Sequence, residues 1–431
     1  MTARVILAIP SRVDEASVIA GLRESGGVAE LGRRCVDLPD VLAAAAAGAG
    51  DVVVIASSVR RLDRDAVDRL TRCGVDVVVV HDVSHQGSLD DDVWTSWGVR
   101  AVVPPDSDAV LRAITSRVPM PPTSTPDGAS VGEDAEHRPP TGQLVAVWGP
   151  TGAPGRTTVA VNVADRLASL GHDTLLADVD TYGASVAQVL GLLDDTSGIA
   201  SVARLAAGGR LDATACDRAS AGLPSGLKVL TGMARPERWP ELRAASLQSV
   251  WSLAVAHHAF VVLDCGFGIG AGSLSAWPLE VGPPERDEAT VASLAMSDVV
   301  LAVGSADPVG LVRLVRALPE VLDRAPAARI QVVVNQCRRS AVGRDPDAAV
   351  ASVLRPRLAE LAEQFGPRVC AEVHLVPFDR AALDASMLAG RTLGETASQS
   401  PAAVALHSLA ALVAPQPAVS RRRRRGFRRS A

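Results

Sequence analysis

The chain has 431 residues, of which 48% are hydrophobic, and its formal net charge is −5. No uninterrupted apolar run reaches the roughly 18 residues that a transmembrane helix needs, and the N-terminal residues lack the ending of a cleaved signal peptide. The cysteines show no CxxC spacing, which argues against a zinc site and favours reduced thiols in the cytoplasm. They are Cys35, Cys73, Cys216, Cys265, Cys337 and Cys370. We therefore expect a cytoplasmic protein of two to three domains.

Residues 1–118 alternate between strand-like and helix-like runs. The strand-like runs are 5–9, 51–57, 75–82 and 99–103, and the helix-like runs are 14–23, 39–47, 63–73 and 106–117. Residues 34–37 are a candidate for one further strand. Apolar β-branched runs separated by helices predict an α/β domain, whose doubly wound parallel sheet is covered on both faces.

The order of these elements resembles that of a response-regulator receiver domain. Receivers place acidic residues after the first strand and an aspartate at the end of the third. Here residues 9–12 read Ile-Pro-Ser-Arg, and the third strand ends at Ala56 and Ser57. Asp51 stands at the opposite end of that strand. We expect a receiver-like module without a phosphoacceptor that binds a protein partner. Another small α/β docking domain is the alternative.

Residues 119–141 are rich in proline, serine, threonine, glycine and acidic residues. Such a composition buries too little apolar surface to offset the entropy of ordering, so it predicts a disordered linker between two domains.

A glycine-rich turn follows the next apolar strand, at residues 144–148. The turn, residues 149–158, reads Gly-Pro-Thr-Gly-Ala-Pro-Gly-Arg-Thr-Thr, and an apolar-periodic helix follows at residues 159–170. In this strand–turn–helix context the backbone N–H groups and the positive helix end can bind phosphate. A glycine turn without any ligand is the alternative.

The loop resembles the phosphate loop of the ParA/MinD family of P-loop ATPases. The resemblance implies that ATP and Mg²⁺ bind here, with Gly155 as the last loop glycine and Arg156 in place of the phosphate-binding lysine. It makes Thr157 the Mg²⁺-binding hydroxyl, while Gly152 and Thr158 complete the loop's contacts with the nucleotide.

Three residues of the loop depart from the family pattern. Thr151 stands where the family has an additional lysine that acts across the dimer, Pro150 replaces the first glycine, and Pro154 removes one N–H donor. Lost positive charge weakens electrostatic stabilisation of the transition state. Two interpretations remain open: weak, slow ATP hydrolysis, or a scaffold that binds nucleotide without turnover or binds none.

Three carboxylates follow strand-like runs at the distances that the family shows. Residues 172–180 end in Asp178 and Asp180, two residues apart and so on one face of a strand. Residues 260–264 end in Asp264 at the Walker B position. The resemblance makes Asp180 and Asp264 the catalytic candidates, and Asp178 and Asp264 the Mg²⁺ candidates beside the threonine hydroxyl. Ordinary capping or turn aspartates are the alternative for the first two.

Two further strand ends complete the resemblance, which spans residues 144 to about 394. Asn335 follows an apolar strand and matches the adenine-contacting asparagine of the family. Pro377 lies at the end of the last strand, before the loop that encloses the base. Gly266 and Gly268 would let the loop after Asp264 respond to the γ-phosphate. We therefore predict a second doubly wound α/β domain, a P-loop ATPase, over residues 142–415.

The C-terminal residues 416–431 are predicted to be a disordered basic tail, with seven arginines between Arg421 and Arg429. Such a cluster can bind an anionic membrane or DNA through its charge. Phe427 is its only aromatic residue, so base stacking has little support. A solvated tail without a ligand is the alternative.

A receiver-like module before a deviant ATPase domain is similar to the CpaE/TadZ-like branch of the ParA/MinD family. This resemblance implies a homodimeric, cytoplasmic spatial regulator that can attach peripherally to the membrane. Members of the wider family position pilus or secretion machinery, the division septum or the chromosome. A degenerate pseudo-ATPase scaffold and a metabolic P-loop enzyme are the alternatives, although no second catalytic cluster supports the latter.

Overall fold

The computed structural model describes residues 2–60, 62–81, 89–116, 142–192, 196–270 and 285–414, without the side chains of residues 12 and 13. They form two α/β units with separate hydrophobic cores, each built around a largely parallel sheet. The α/β fold class is therefore confirmed. The predicted linker, residues 119–141, and the basic tail, residues 416–431, lie outside the described residues. No described helix has the length and apolar character needed to cross a bilayer.

The N-terminal unit alternates strands and helices along the chain. Its sheet has the order β2-β1-β3-β4-β5, and all neighbouring strands are parallel. The elements are β1 Ala3–Ala8, α1 Arg12–Glu24, β2 Ala29–Arg34, α2 Leu38–Ala46, β3 Val52–Ala56, α3 Arg64–Arg72, β4 Asp76–Val80, α4 Asp91–Ser96, β5 Ala101–Val103 and α5 Ser107–Thr115.

Two features of this unit differ from the prediction. The further strand expected at residues 34–37 is β2 at Ala29–Arg34, which lies at the sheet edge with most of its side chains exposed. An edge strand of this kind needs no apolar run, so hydrophobic patterning cannot locate it. The short helix α4 was not predicted, although its Trp94 is buried.

The second unit has an eight-stranded sheet of order β13-β12-β11-β6-β10-β7-β9-β8, antiparallel only between β8 and β9. Its strands are β6 Gln143–Trp148, β7 Thr174–Asp178, β8 Ala221–Gly222, β9 Lys228–Leu230, β10 Phe260–Asp264, β11 Val299–Ser305, β12 Arg329–Cys337 and β13 Val369–Pro377. Its helices are α6 Arg156–Ser169, α7 Val186–Val189, α8 Gly198–Ala207, α9 Ala213–Ala219, α10 Ala244–His257, α11 Glu288–Met296, α12 Pro308–Arg324, α13 Arg339–Val342, α14 Pro346–Phe365, α15 Arg380–Ala389, α16 Leu393–Thr396 and α17 Pro401–Val413.

Each face of this sheet buries a separate apolar cluster. One cluster includes residues of α10, α12 and α14, and its largest side chains are Trp148 and Trp251. The other cluster joins α6 and α17 to the opposite face. Central strands that are buried on both faces consist of continuous apolar residues. The sequence alone therefore predicts β6 and β10. Their carboxyl ends reach one edge of the sheet, where the candidate site lies.

A buried ionic contact joins the two units where α3 packs against α10 and α8. Arg243 Nη2 lies 2.8 Å from Asp65 Oδ2 and 4.0 Å from Glu288 Oε2. The side chains of Arg243 and Asp65 are only 15% and 11% exposed. Burial raises the pKa of Glu288, whereas the charge of Arg243 opposes that shift. One guanidinium therefore compensates carboxylates from both units.

We predict that Arg243→Met lowers the free energy of unfolding by about 3 kcal/mol, because it leaves two poorly solvated carboxylates without their cation. Methionine keeps much of the apolar stem, which separates the loss of charge from the loss of packing. Urea unfolding of the whole chain measures the change.

The matched control for this variant is Arg238→Met. Arg238 pairs with Glu241 within the second unit, and its side chain is 44% exposed. Exposed pairs contribute little, so this control should leave the transition midpoint nearly unchanged. Equal midpoints for both variants would show that the contact between the units contributes nothing to stability.

Candidate functional site

The loop between β6 and α6 has the backbone of an anion-binding turn. Gly152 and Gly155 adopt φ angles of 75° and 94°, in the left-handed region that glycine tolerates best. A Cβ at Gly155 would also lie 2.0 Å from Asn335 Nδ2, so no larger residue fits there. Gly155 is the N-cap of α6, and within the described residues no side chain caps this helix start. Its first N–H groups are thus left for a ligand.

Thr157 and Asp264 form the part of the site that could hold a metal ion. Thr157 Oγ1 donates a 2.7 Å hydrogen bond to Asp264 Oδ2 and lies 3.1 Å from Ser185 Oγ. Asp264 is 1% exposed, and its Oδ1 has no hydrogen-bond partner among the described residues. Burial, followed by the charge of Asp178, raises the pKa of Asp264 well above its usual value.

A hard divalent cation fits these groups. Mg²⁺ binds oxygen ligands and is held in P-loop proteins by the loop threonine and the Walker B aspartate. The unpartnered oxygen of Asp264 supplies a free ligand atom, and a cation would favour the ionised carboxylate that burial disfavours.

Asp178 lies beside Asp264 on neighbouring strands, since the register pairs the two residues. Its Oδ2 accepts hydrogen bonds from the backbone N–H groups of Ser185 and Val186, at 2.9 and 3.0 Å. Its Oδ1 accepts a bond from the backbone of Asp180 at 3.2 Å. Burial raises the pKa of Asp178 to about 7. These bonds make Asp178 an organiser of the loop after β7; its role as a metal ligand stays a prediction.

Arg156 and Asp180, a phosphate-binding and a catalytic candidate, contact each other. Arg156 Nη2 lies 3.4 Å from Asp180 Oδ2, and Arg156 Nη1 donates to the carbonyl of Gly149 at 3.3 Å. Asp180 Oδ1 accepts bonds from the backbone of Tyr182 and Gly183, at 2.8 and 3.1 Å. In this arrangement the carboxylate compensates the charge of Arg156.

The two candidates for base contacts lie at neighbouring strand ends. Asn335 Nδ2 donates a 3.1 Å bond to the carbonyl of Pro154, which joins β12 to the phosphate loop. The next residue, Gln336, has a φ of 59°, which few non-glycine residues adopt. Pro377 pairs with Cys337 in the register of β13 with β12. The structure thus brings Asn335 to the loop and places Pro377 at the adjacent strand end.

Some residues at the site were not found by sequence reasoning. Tyr182 donates from its hydroxyl to Asp287 Oδ1 at 2.7 Å, its ring centroid is 4.6 Å from that of Phe267, and Arg286 lies 4.1 Å over its ring. This contact joins the loop after β7 to the residues before α11. Ser185 beside Thr157 and Arg313 beside the phosphate loop were also missed. No motif marks such residues, because their contacts span loops distant in sequence.

Solved structures similar to this chain are ParA/MinD family ATPases. A ParA family ATPase from Chlorobium tepidum TLS is 16% identical, with a TM-score of 0.49, over 63% of this chain and 98% of that one. The cell division ATPase MinD of Pyrococcus furiosus is 21% identical, with a TM-score of 0.47, over 63% and 98%. The septum site-determining protein MinD complexed with Mg-ADP, from Pyrococcus horikoshii OT3, is 19% identical, with a TM-score of 0.47, over 63% and 96%. No family model and no curated protein matches the chain.

Tyr182 is the only tyrosine of the chain, so its ionisation can be followed alone. Burial, followed by the hydrogen bond to Asp287, raises the pKa of Tyr182 to about 12. We predict that phenolate absorbance in the folded protein rises near that pH, and near about pH 10 in the denatured chain. The folded pKa lies above the unfolded one, so the stabilisation from this group is complete below about pH 10 and is lost as the pH rises through about 12.

Asp287→Asn should lower the pKa of Tyr182, because it removes the negative charge beside the phenol. The exposed Asp384→Asn is the control and should leave the pKa unchanged. Circular dichroism at each pH reports whether the fold persists. Titration of a folded protein near pH 10 would contradict the environment described here.

Proposed function

We propose that the chain is an ATP-binding protein of the ParA/MinD type, which dimerises with Mg-ATP bound and positions a cellular machine. The observation that carries the proposal is the pairing of Thr157 with Asp264 near the uncapped N-terminus of α6. The second oxygen of Asp264 has no partner in the part of the chain that the structure describes. A threonine hydroxyl, a buried carboxylate and free backbone N–H groups are the parts from which P-loop proteins build a Mg-nucleotide site.

In this proposal the N–H groups of the loop and of the start of α6 bind the phosphate oxygens. Thr157 and Asp264 would hold Mg²⁺, which neutralises charge on the phosphates when bound. Asn335, with an amide that both donates and accepts, would contact the adenine edge from beside the loop. Asp178 holds the loop after β7 in shape through the backbone bonds described above.

Hydrolysis by such a site would be slow. Asp180 is the candidate for orienting the attacking water, yet its two oxygens bind Arg156 and the backbone of Tyr182 and Gly183. The ion pair with Arg156 occupies one acceptor direction of Asp180 Oδ2 and so competes with water for that oxygen. Arginine also does not replace the compact ammonium of lysine at a phosphate.

The second candidate function is a pseudo-ATPase scaffold. It is favoured by the compensation of Arg156 by Asp180 and by the neutral Thr151. A scaffold would form its contacts without turnover, whereas a metabolic P-loop enzyme would consume ATP with a small substrate.

Within the ParA/MinD type, we propose the CpaE/TadZ-like branch, in which the receiver-like unit binds the protein partner.

The first prediction of this proposal concerns nucleotide binding. Calorimetry of the whole chain should detect ATP binding that Mg²⁺ strengthens. Thr157→Ala should weaken binding in Mg²⁺ at least tenfold, because it removes the hydroxyl paired with Asp264. The same variant should change binding in EDTA much less, since the lost contact belongs to the metal.

Thr115→Ala, at an exposed position of α5 in the N-terminal unit, is the matched control and should bind like the wild type. Light scattering during the titration should show dimers only with Mg-ATP. Dimers without nucleotide would favour the scaffold, and an absence of binding at millimolar ATP would refute the proposed function.

The second prediction concerns the basic tail, Arg421–Arg429, which lies outside the described residues. We propose that it tethers the protein to an anionic membrane, with DNA as the rival surface. Deletion of these residues should abolish sedimentation with anionic vesicles at low salt, because arginines near an anionic leaflet each contribute about 1 kcal/mol. Binding by the intact chain should also fall steeply as salt rises.

Neutral vesicles and a DNA mobility shift are the controls for this experiment. If the deletion removes only DNA binding, the chromosome-partitioning function gains support over polar positioning. If it changes neither measurement, the tail is a solvated appendage.

A further inference from the structure

Arg313 brings a cationic side chain from α12 to the phosphate loop. Its Nη1 donates a 3.2 Å hydrogen bond to the carbonyl of Thr151. A Cβ at Gly152 would lie 2.3 Å from the same nitrogen, so the guanidinium occupies the space that a side chain at Gly152 would need. The absence of a side chain at Gly152 therefore lets an arginine from another helix contact the loop.

The backbone that carries Arg313 is firmly placed. Asp307 caps α12 by accepting bonds from the backbone of Val309 and Gly310, at 3.0 and 2.9 Å. Leu311 and Leu314, on either side of Arg313, are 4% and 0% exposed. The arginine thus extends from a helix turn fixed in the core, which favours a defined approach to the loop.

The charges around the loop are distributed unequally. Arg156 forms an ion pair with Asp180, so the charge within the loop is compensated. In the parts of the chain that the structure describes, Arg313 forms no ion pair with a carboxylate, and Thr151 is neutral. Arg313 is therefore a cation in contact with the loop that keeps its charge for a ligand.

We propose that Arg313 is a phosphate-binding residue of the nucleotide site, which supplies from α12 a positive charge to a loop whose residue 151 is neutral. This inference rests on the proposed function, because it deepens the same site. A guanidinium has five N–H donors in a planar fork, and within the described residues Arg313 uses one of them, in the bond to Thr151. The remaining donors can bind phosphate oxygens, and arginine does so with two parallel bonds where the geometry permits.

If Arg313 binds phosphate, the affinity of the site for a nucleotide should depend on the number of phosphates in that nucleotide. The contact of Arg313 lies at the beginning of the loop, on Thr151 and Gly152, rather than at the base-proximal Asn335. ATP carries more negative charge than ADP, so loss of the cation should weaken ATP binding more than ADP binding. Screening by salt should reduce that difference, because the side chain is exposed.

The test compares Arg313→Met with Arg316→Met, an exposed arginine one turn away on α12. Methionine keeps the stem of each side chain and removes only the head group. Calorimetry with ATPγS and with ADP, in Mg²⁺ at low salt, should show at least a tenfold loss of ATPγS affinity in Arg313→Met. The loss for ADP should be several-fold smaller, and Arg316→Met should stay within twofold of the wild type for both nucleotides.

Arg313→Lys keeps the charge but loses the fork, and it should retain more ATPγS affinity than Arg313→Met. Melting temperatures equal to that of the wild type show that the variants are folded. If the wild type binds ATPγS and Arg313→Met binds it equally well, or if both nucleotides weaken to the same extent, this inference is overturned while the proposed function stands. If the wild type binds neither nucleotide, both fail together.

Discussion

The carboxyl ends of parallel strands meet at one edge of a sheet, and the arrangement of the candidate site depends on this constraint. The register that pairs Asp264 with Val147 and with Asp178 places the end of β10 between the phosphate-loop strand and β7. Thr157, the second residue of the helix after the loop, is then close enough to bond Asp264. Asn335 reaches the loop from the end of β12 for the same reason.

The positive charge at this edge of the sheet comes from arginine. The chain has one lysine, Lys228, which lies far in sequence from the loop. Residue 156 is an arginine, and its long fork reaches Asp180 and the carbonyl of Gly149. The compact ammonium of a lysine would not bond both the Gly149 carbonyl and Asp180 so readily. The arginine at residue 156 therefore determines a partner of the catalytic candidate Asp180 as well as the kind of cation in the loop.

The sequence predicted the parts of the fold that are local. Apolar runs marked β3, β4 and β10, and the glycine turn before an apolar helix marked the loop between β6 and α6. The edge strand β2 was expected at residues 34–37 instead of Ala29–Arg34, because its exposed residues have no apolar period. Contacts between distant segments could not be predicted for a different reason. Arg313 and Thr151 are 162 residues apart in sequence, and Arg243 and Asp65 are 178 residues apart. A single sequence carries no sign of which arginine meets which loop.

The buried contact around Arg243 bears on how the protein can be divided for experiments. A fragment that begins at residue 142 would keep the whole eight-stranded sheet but would lose Asp65 and the covering surface of α3. Arg243 and the neighbouring face of α10 would then be open to solvent, next to Glu288 at the start of α11. Because Asp287, one residue earlier, binds Tyr182, such a fragment would carry an altered surface close to the site itself. Measurements on the isolated second unit would therefore describe a different molecule from the intact chain.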